Sequence, residues 1–414
     1  MNKEGGFSQG GMWKLRNSLV SKCIETPMAK RDWQGNLITD RNMLRQLYLN
    51  TYKERLKNQD IKPELLDLYE MKMELWKLRL AESQNKKTKE WEINDLNHVL
   101  KSLKRNKSRD PHGLLNDLFK DCLGNDLKLA LLALLNEIKK EQKLPKLLQF
   151  ANITTIWKKK GSRQDLNNDR GIFVVSIIRM ILDSLIYRDL FPLIERNMSD
   201  SNIGARKERN IRDHLFIVYG IMNSVMHGDE EPVDIQIYDV EKCFDKLWLE
   251  DCLLDLYDTL PPEGRNDKLS LLYKMNQENF VSVKTAAGLT DRINLKNIVM
   301  QGGKWGPIKC SNTMDHIGKK FQKEDKHLYL YKGCIKVLPL AMIDDLLVIA
   351  PCGAKSEEVN IELNAEIDMK KLRFHAPMNG KKSKCHFIHV GKNTLEQHNL
   401  KVHGTTMEQV NSDT

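Results

Sequence analysis

The sequence predicts an α+β protein in which helices flank an antiparallel sheet, and three observations predict it. From Asp40 to about Leu80 the chain is charged and helix-favouring, with no strand signal. Further on, short β-rich runs are separated by polar loops and read as hairpins. Finally, two segments about a hundred residues apart deliver acid where an apolar strand should end. They are Val233–Asp239 and Leu338–Ala350, the second with Asp344 and Asp345 between two apolar runs.

Taken in order, residues 1–34 are irregular, Gly-containing and basic. The helical stretch then shows Leu44, Leu47, Tyr48, Tyr52 and Leu56, followed by apolar residues from Leu65 to Leu78. Residues 84–89 are a polar break, and Glu90–Leu103 is helical again. Lys107–Gly113 is turn-rich, and Leu127–Lys143 is a helix with an apolar face, stopped by Pro145. Phe150–Trp157 and Gly171–Val175 bracket the basic loop Lys158–Arg170, which gives a hairpin with a charged tip. Ile177–Met198 reads as a buried helix, and the Gly204–Arg212 loop follows it. The Asp239 strand runs into an amphipathic stretch, and residues 261–264 form a turn. A hairpin over Phe280–Val299, a helix after Gln301-Gly302-Gly303, and the Asp344–Asp345 hairpin come next. Val359–Leu372 and Ser383–Val390 continue the α/β pattern, and residues 393–414 read as a polar tail. No internal repeat or low-complexity tract occurs.

At 414 residues there is room for two or three subdomains and a sizeable core. Lys plus Arg (66) exceeds Asp plus Glu (56) by ten, a balance that suits a polyanionic partner. The longest apolar run is far shorter than the ~20 residues a membrane span needs, and the polar first residues are not a signal peptide. These features lead us to expect an intracellular protein of cytoplasm or nucleus. The eight cysteines form no Cys-x-x-Cys pair, which argues against a zinc knuckle or a disulfide framework. Cys385, His386 and His389 are metal-ligand types, although alternation at a strand end is the simpler account.

Set side by side in a sheet, the two acid-bearing segments would bring Asp239, Asp344 and Asp345 to one edge. Three clustered carboxylates repel one another unless cations sit between them. Two-metal phosphoryl-transfer sites need such an arrangement, with ions ~4 Å apart on the attacking and leaving oxygens. Each segment also has a plainer reading, since Asp-Asp suits a solvated turn and a strand-end Asp suits a helix N-cap.

The motifs accompanying these acids, in their order along the chain, resemble the reverse transcriptase of non-LTR (LINE-type) retrotransposons. Asp239-Val-Glu-Lys-Cys-Phe244-Asp245 is close to the family's Asp-x-Glu-Lys-Ala-Phe-Asp and is the most specific match. Lys107–Gly113 resembles its Lys-Ser-Pro-Gly-Pro-Asp-Gly turn. Ile153–Lys158 and Asp169–Ile172 resemble its fingers hairpin, and Gly204–Asn210 its Gly-Phe-Arg-x-x-Arg-Ser stretch. Gln301-Gly302 matches the opening of its next motif, and Ile343-Asp344-Asp345 its Ala-Asp-Asp core. The resemblance covers nearly the whole chain.

It implies a right-hand polymerase with fingers and an antiparallel, four-stranded palm sheet, a helical N-terminal region and a thumb largely absent. It divides the chain into an N-terminal extension (1–89), fingers (90–232), palm (233–392) and polar tail (393–414). The activity implied is RNA-directed DNA synthesis, with an RNA template, a DNA primer and dNTPs as partners and two Mg²⁺ ions, for which Mn²⁺ can substitute. Asp239 and Asp344 would hold the metal together with the Val240 carbonyl, while Asp345 sets the local electrostatics. Lys158 and Arg170 would clamp the triphosphate, the alternative being a solvated basic loop. Phe244 would exclude a ribose 2′-hydroxyl, the alternative being a core role beside Leu247 and Trp248. Gln301 and Gly302 would lie along the template–nucleotide pair, Lys384 would donate a proton to pyrophosphate, and Arg206 and Arg209 would touch the template backbone.

The chain departs from the family pattern at Met342, which replaces an aromatic, at Gly303–Asp315, which replaces Ser-Pro-Leu, and at Gly171, which replaces Pro. None removes a carboxylate. The positions of the chain ends suggest a fingers-plus-palm piece of a longer polyprotein or a truncated copy. Two other functions compete: a catalytically silent RNA- or DNA-binding relic that uses the same groove, and an interaction protein built on the N-terminal helices.

Overall fold

The computed structural model describes residues 28–57, 62–296, 299–300, 302–324, 329–376, 384–391 and 399–410. Gln301 lies outside the described residues. A two-stranded ladder, β1 (Lys30–Arg31) on β2 (Leu37–Ile38), comes first. Helix α1 (Arg41–Arg55) starts at Asp40, whose carboxylate accepts from the amides of Asn42 and Met43. It buries Leu44, Tyr48, Leu49 and Tyr52, a stripe at helical spacing. Helices α2 (Leu66–Asn85) and α3 (Ile93–Ser102) follow, the latter with a capping box between Glu92 and Asp95.

The Lys107–Gly113 turn is organised by Asp110, whose carboxylate accepts from the amides of His112, Leu114 and Ile177. The same side chain thus shapes the turn and caps a helix far along the chain. Helices α4 (Asn116–Asp121) and α5 (Asn125–Glu141) come next, α5 ending at Gln142 in the left-handed region before Pro145. Strands β3 (Phe150–Trp157) and β4 (Asp169–Val175) form the expected antiparallel hairpin, with Trp157 opposite Asp169. Helix α6 (Ile177–Asn197) is largely buried.

Helix α7 (Ile211–His227) does not stand out in the sequence. Its outer face carries exposed Leu215, Phe216, Tyr219 and Met226, which blur the one-sided apolar period. The chain continues through β5 (Val233–Asp239), α8 (Cys243–Lys246), α9 (Leu249–Thr259) and α10 (Asp267–Gln277). Then come β6 (Glu278–Thr285), β7 (Gly288–Leu289), β8 (Ile293–Lys296) and α11 (Trp305–Glu324). The short β9 (Leu330–Tyr331) and β10 (Ile335–Lys336) lead to β11 (Leu340–Met342), β12 (Asp345–Pro351) and α12 (Ala354–Met369). Strands β13 (His386–Val390), β14 (Lys401–Val402), β15 (Thr405–Thr406) and β16 (Glu408–Gln409) close the described chain.

These elements make a mixed α+β architecture with two main sheets. The first has the order β11-β12-β5-β13-β16, antiparallel except that β16 runs parallel to β13. The four antiparallel strands agree with the sequence expectation, and the fifth corrects it. The polar-tail expectation is corrected as well, because Leu400, Val402 and Met407 are buried in the main core. These apolar residues are so spaced among polar ones that the segment as a whole reads as hydrophilic.

The second sheet joins β4-β3-β6-β7, with β8 also on β6. Its central pair is parallel, Phe150 to Phe280. Residues 278–296 therefore belong with the 150–175 hairpin, so the division at 232/233 does not follow the sheets. A parallel, non-local pairing leaves no turn signal in the sequence. Helix α1 covers this sheet, its Leu44, Tyr48 and Tyr52 sharing a core with Ile153, Phe173, Val281 and Val283.

Candidate functional site

Strand β5 is buried along its length and stops at Asp239, where the central strand of the first sheet reaches the sheet edge. Strand β12 runs alongside in a register that puts Asp345 directly opposite Asp239. Asp345 also pairs with Met342, so Ile343 and Asp344 form a two-residue turn between β11 and β12. The sheet register thus brings all three acids to one edge.

Ile343 holds a φ of 62°, which a β-branched residue rarely adopts. Its surroundings hold it there. Gly204 lies so close that a Cβ on it would fall 2.4 Å from the Ile343 amide nitrogen. Ser311 Oγ donates to the Gly204 carbonyl at 2.9 Å, and the Ile203 amide donates to Ala341 O at 3.0 Å. The Gly204 motif thus supports the carboxylate turn from behind.

Burial and like charge act together on these acids. Asp344 is pushed up to about 6 by burial first, then by the charge of Asp345 and, more weakly, of Asp239. Asp345 is raised as well, by burial and by Asp239. Lys384 Nζ lies 2.6 Å from Asp239 Oδ2 and 3.0 Å from His375 Nε2. His375 also donates its backbone amide to Asp239 O, and burial and Lys384 push its imidazole below the usual range. Val240 is buried and bridged to Phe374 through hydrogen bonds of the flanking residues, a bridge in which its own carbonyl takes no part. Among the described residues, no three His, Cys, Asp or Glu side chains are gathered closely enough for one metal shell. Lys384 is the cation against Asp239.

Phe244 follows on α8, half-buried against the core and close to Gly306. Lys158 and Arg170 are exposed at the tip of the β3–β4 hairpin. Strand alternation puts them on the same face, because Ile156, two residues before Lys158, pairs with Arg170. Burial and then the charges of Arg55 and Arg170 lower the Lys158 pKa, Asp245 opposing and Lys384 adding to the effect. The hairpin cations and the carboxylate edge therefore share one electrostatic neighbourhood.

Other expected residues lie elsewhere or are otherwise engaged. Gly302 has a φ of 113° and approaches β4, where a Cβ would fall 2.8 Å from Ile172 Cγ2. Its conformational freedom serves the contact with that hairpin. Arg206 donates to the carbonyls of Glu195, Ser199 and Asn202, and Arg209 pairs with Asp200. His389 Nδ1 lies 2.9 Å from Asp234 Oδ1 in the sheet interior, in keeping with strand alternation.

Three residues at the site were not singled out from the sequence: Arg55, Asp245 and His375. Asp245 closes the Asp239 motif, and its partner charges Arg55, Lys242 and Lys158 oppose the rise that burial causes. Arg55 and His375 carry no motif that would have marked them.

No protein-family model matches this chain, and no curated protein matches it either.

Proposed function

We propose that this chain is an RNA-directed DNA polymerase domain of the non-LTR retrotransposon type, with a fingers-and-palm arrangement. The observation that carries the reading is the register of β12 on β5, with Asp345 opposite Asp239 and Asp344 in the adjoining turn. Lys158 and Arg170 on one hairpin face, together with a net charge of +10, support a polyanionic substrate.

The donor set fits divalent cations. All three acids are hard oxygen donors, the group type Mg²⁺ takes. Burial and the repulsion among the acids raise Asp344 and Asp345, and a bound cation would offset both effects. Asp239 and Asp344 would hold the ions, with the Val240 carbonyl as a further donor and Asp345 strengthening the local field. When bound, two Mg²⁺ ions, or Mn²⁺ in their place, supply Lewis-acid stabilisation of charge on the attacking and leaving oxygens.

The chain's own groups do the rest. Lys158 and Arg170 bind the triphosphate of an incoming dNTP, Arg170 offering a planar fork to its oxygens. Phe244 lies under the sugar and leaves no space for a 2′-hydroxyl. Lys384 swings from Asp239 to the departing pyrophosphate and donates a proton there. Primer extension by the purified protein on an RNA template, with dNTPs and Mg²⁺, tests the reading. Template-dependent product supports it, and none under any divalent cation counts against it.

A further inference from the structure

Residues 30–57 read from the sequence as part of an extension or linker, yet they hold the hairpin that carries Lys158 and Arg170. Lys30 is buried, its Nζ 2.6 Å from Asp169 Oδ2, and it donates to the Arg163 carbonyl at 2.7 Å. The Arg31 amide donates to Gln164 O at 2.8 Å. The Arg55 guanidinium donates to Leu166 O at 2.9 Å and to Asp169 O at 3.3 Å. It also lies over the Tyr52 ring, 4.7 Å from its centroid. Tyr52 in turn rests on Gly171, where an added Cβ would come within 2.7 Å of Cε1.

These contacts meet the hairpin at the residues that set its cations. Asp169 precedes Arg170 and stands opposite Trp157, the neighbour of Lys158. Alternation gives β3 and β4 two faces. Ile153, Gly171 and Phe173 belong to the face that α1 covers, and Ile156 and Arg170 to the other. The family Pro is Gly here, and the space it leaves is filled by Tyr52.

We propose that residues 30–57 are a brace that fixes the β3–β4 hairpin over the triphosphate site, with Arg55 and Tyr52 as positioning residues for the nucleotide. The inference rests on the polymerase reading above. Two cations on an unheld loop must be ordered when the nucleotide binds, and that cost is subtracted from affinity. A hairpin already held from Arg163 to Gly171 avoids it. Arg55 acts here through its fork, which reaches the carbonyls of Leu166 and Asp169 at once and which a lysine cannot reproduce.

The test is steady-state primer extension by the full chain as wild type, Arg55→Lys and Gly171→Ala, with amide hydrogen exchange over residues 158–168. Each variant should raise KM for dNTP by ~10-fold with kcat within about twofold, and exchange in the hairpin should quicken. Gly171→Ala keeps every charge, so its effect separates positioning from electrostatics, and it provides a second variant should Arg55→Lys fold poorly. Unchanged KM in both, with an active wild type, would overturn the brace and leave the polymerase reading standing. Unchanged KM in Arg55→Lys alone would also overturn it, since a charge at position 55 would then suffice without the fork. A wild type with no extension on any template would remove the polymerase reading and this inference with it.

Discussion

Lys384 Nζ lies 2.6 Å from Asp239 Oδ2, so the residue at the end of the central strand is paired with a cation from the opposite flank of the sheet. The pair is partly exposed and contributes at most ~1 kcal/mol. Its chief consequence is competition, because the ammonium and a divalent cation seek the same carboxylate. Lys384→Met should therefore enlarge the melting-temperature rise that Mg²⁺ produces, while slowing extension. Calorimetry with and without Mg²⁺ checks this, and an unchanged Mg²⁺ response would show that the ion does not engage Asp239.

Acid dependence follows from Asp344. Its carboxyl rises from an ordinary 3.8 to about 6, so the folded protein retains a proton there that the unfolded chain has released. Without a divalent cation, this group makes stability fall as pH rises from about 4 to about 6. Ions that bind the ionised form should oppose the trend. Melting temperature followed from pH 4.5 to 7.5 should fall less in Mg²⁺ than in chelator, and Asp344→Asn should remove most of that difference.

Sugar selection tests Phe244. Phe244→Val should admit ribonucleotides while dNTP use changes little, as read by single-nucleotide extension with matched rNTP and dNTP. A purely structural ring would give another result: a loss of stability smaller than the ~3–5 kcal/mol that truncating a fully buried Phe costs, with ribonucleotides still excluded.

Away from the site, Lys370 Nζ lies 2.6 Å from Asp255 and 3.2 Å from Asp251, which Lys72 also meets at 2.8 Å. Lys370 is pushed up by both acids against its own burial. Lys370→Met removes one partner of a buried cluster and should destabilise the fold by ~3–5 kcal/mol, measured by urea unfolding.

Much of this was legible in the sequence because it is local. The β3–β4 hairpin, the β11–β12 hairpin and the helices around Ile177 and Leu127 are set by period and by turn residues. What escaped depends on distant partners. The parallel pairing of β3 with β6, the docking of β16 on β13 and the Arg55 contacts join residues more than twenty positions apart. Arg206 shows the reverse case, a loop arginine whose guanidinium serves the backbone of its own neighbourhood.

The central claim is that Asp239 and Asp344 jointly serve phosphoryl transfer from the edge of the β5–β12 pair. The most direct measurement is primer extension by Asp239→Asn and Asp344→Asn, with folding followed by circular dichroism and template binding by anisotropy. Each change keeps the side-chain shape and removes the charge a divalent cation needs. Extension should fall by ~10³-fold or more, a loss of ~4 kcal/mol in transition-state stabilisation, with folding and template binding retained. Extension at wild-type rate in either variant would contradict the account.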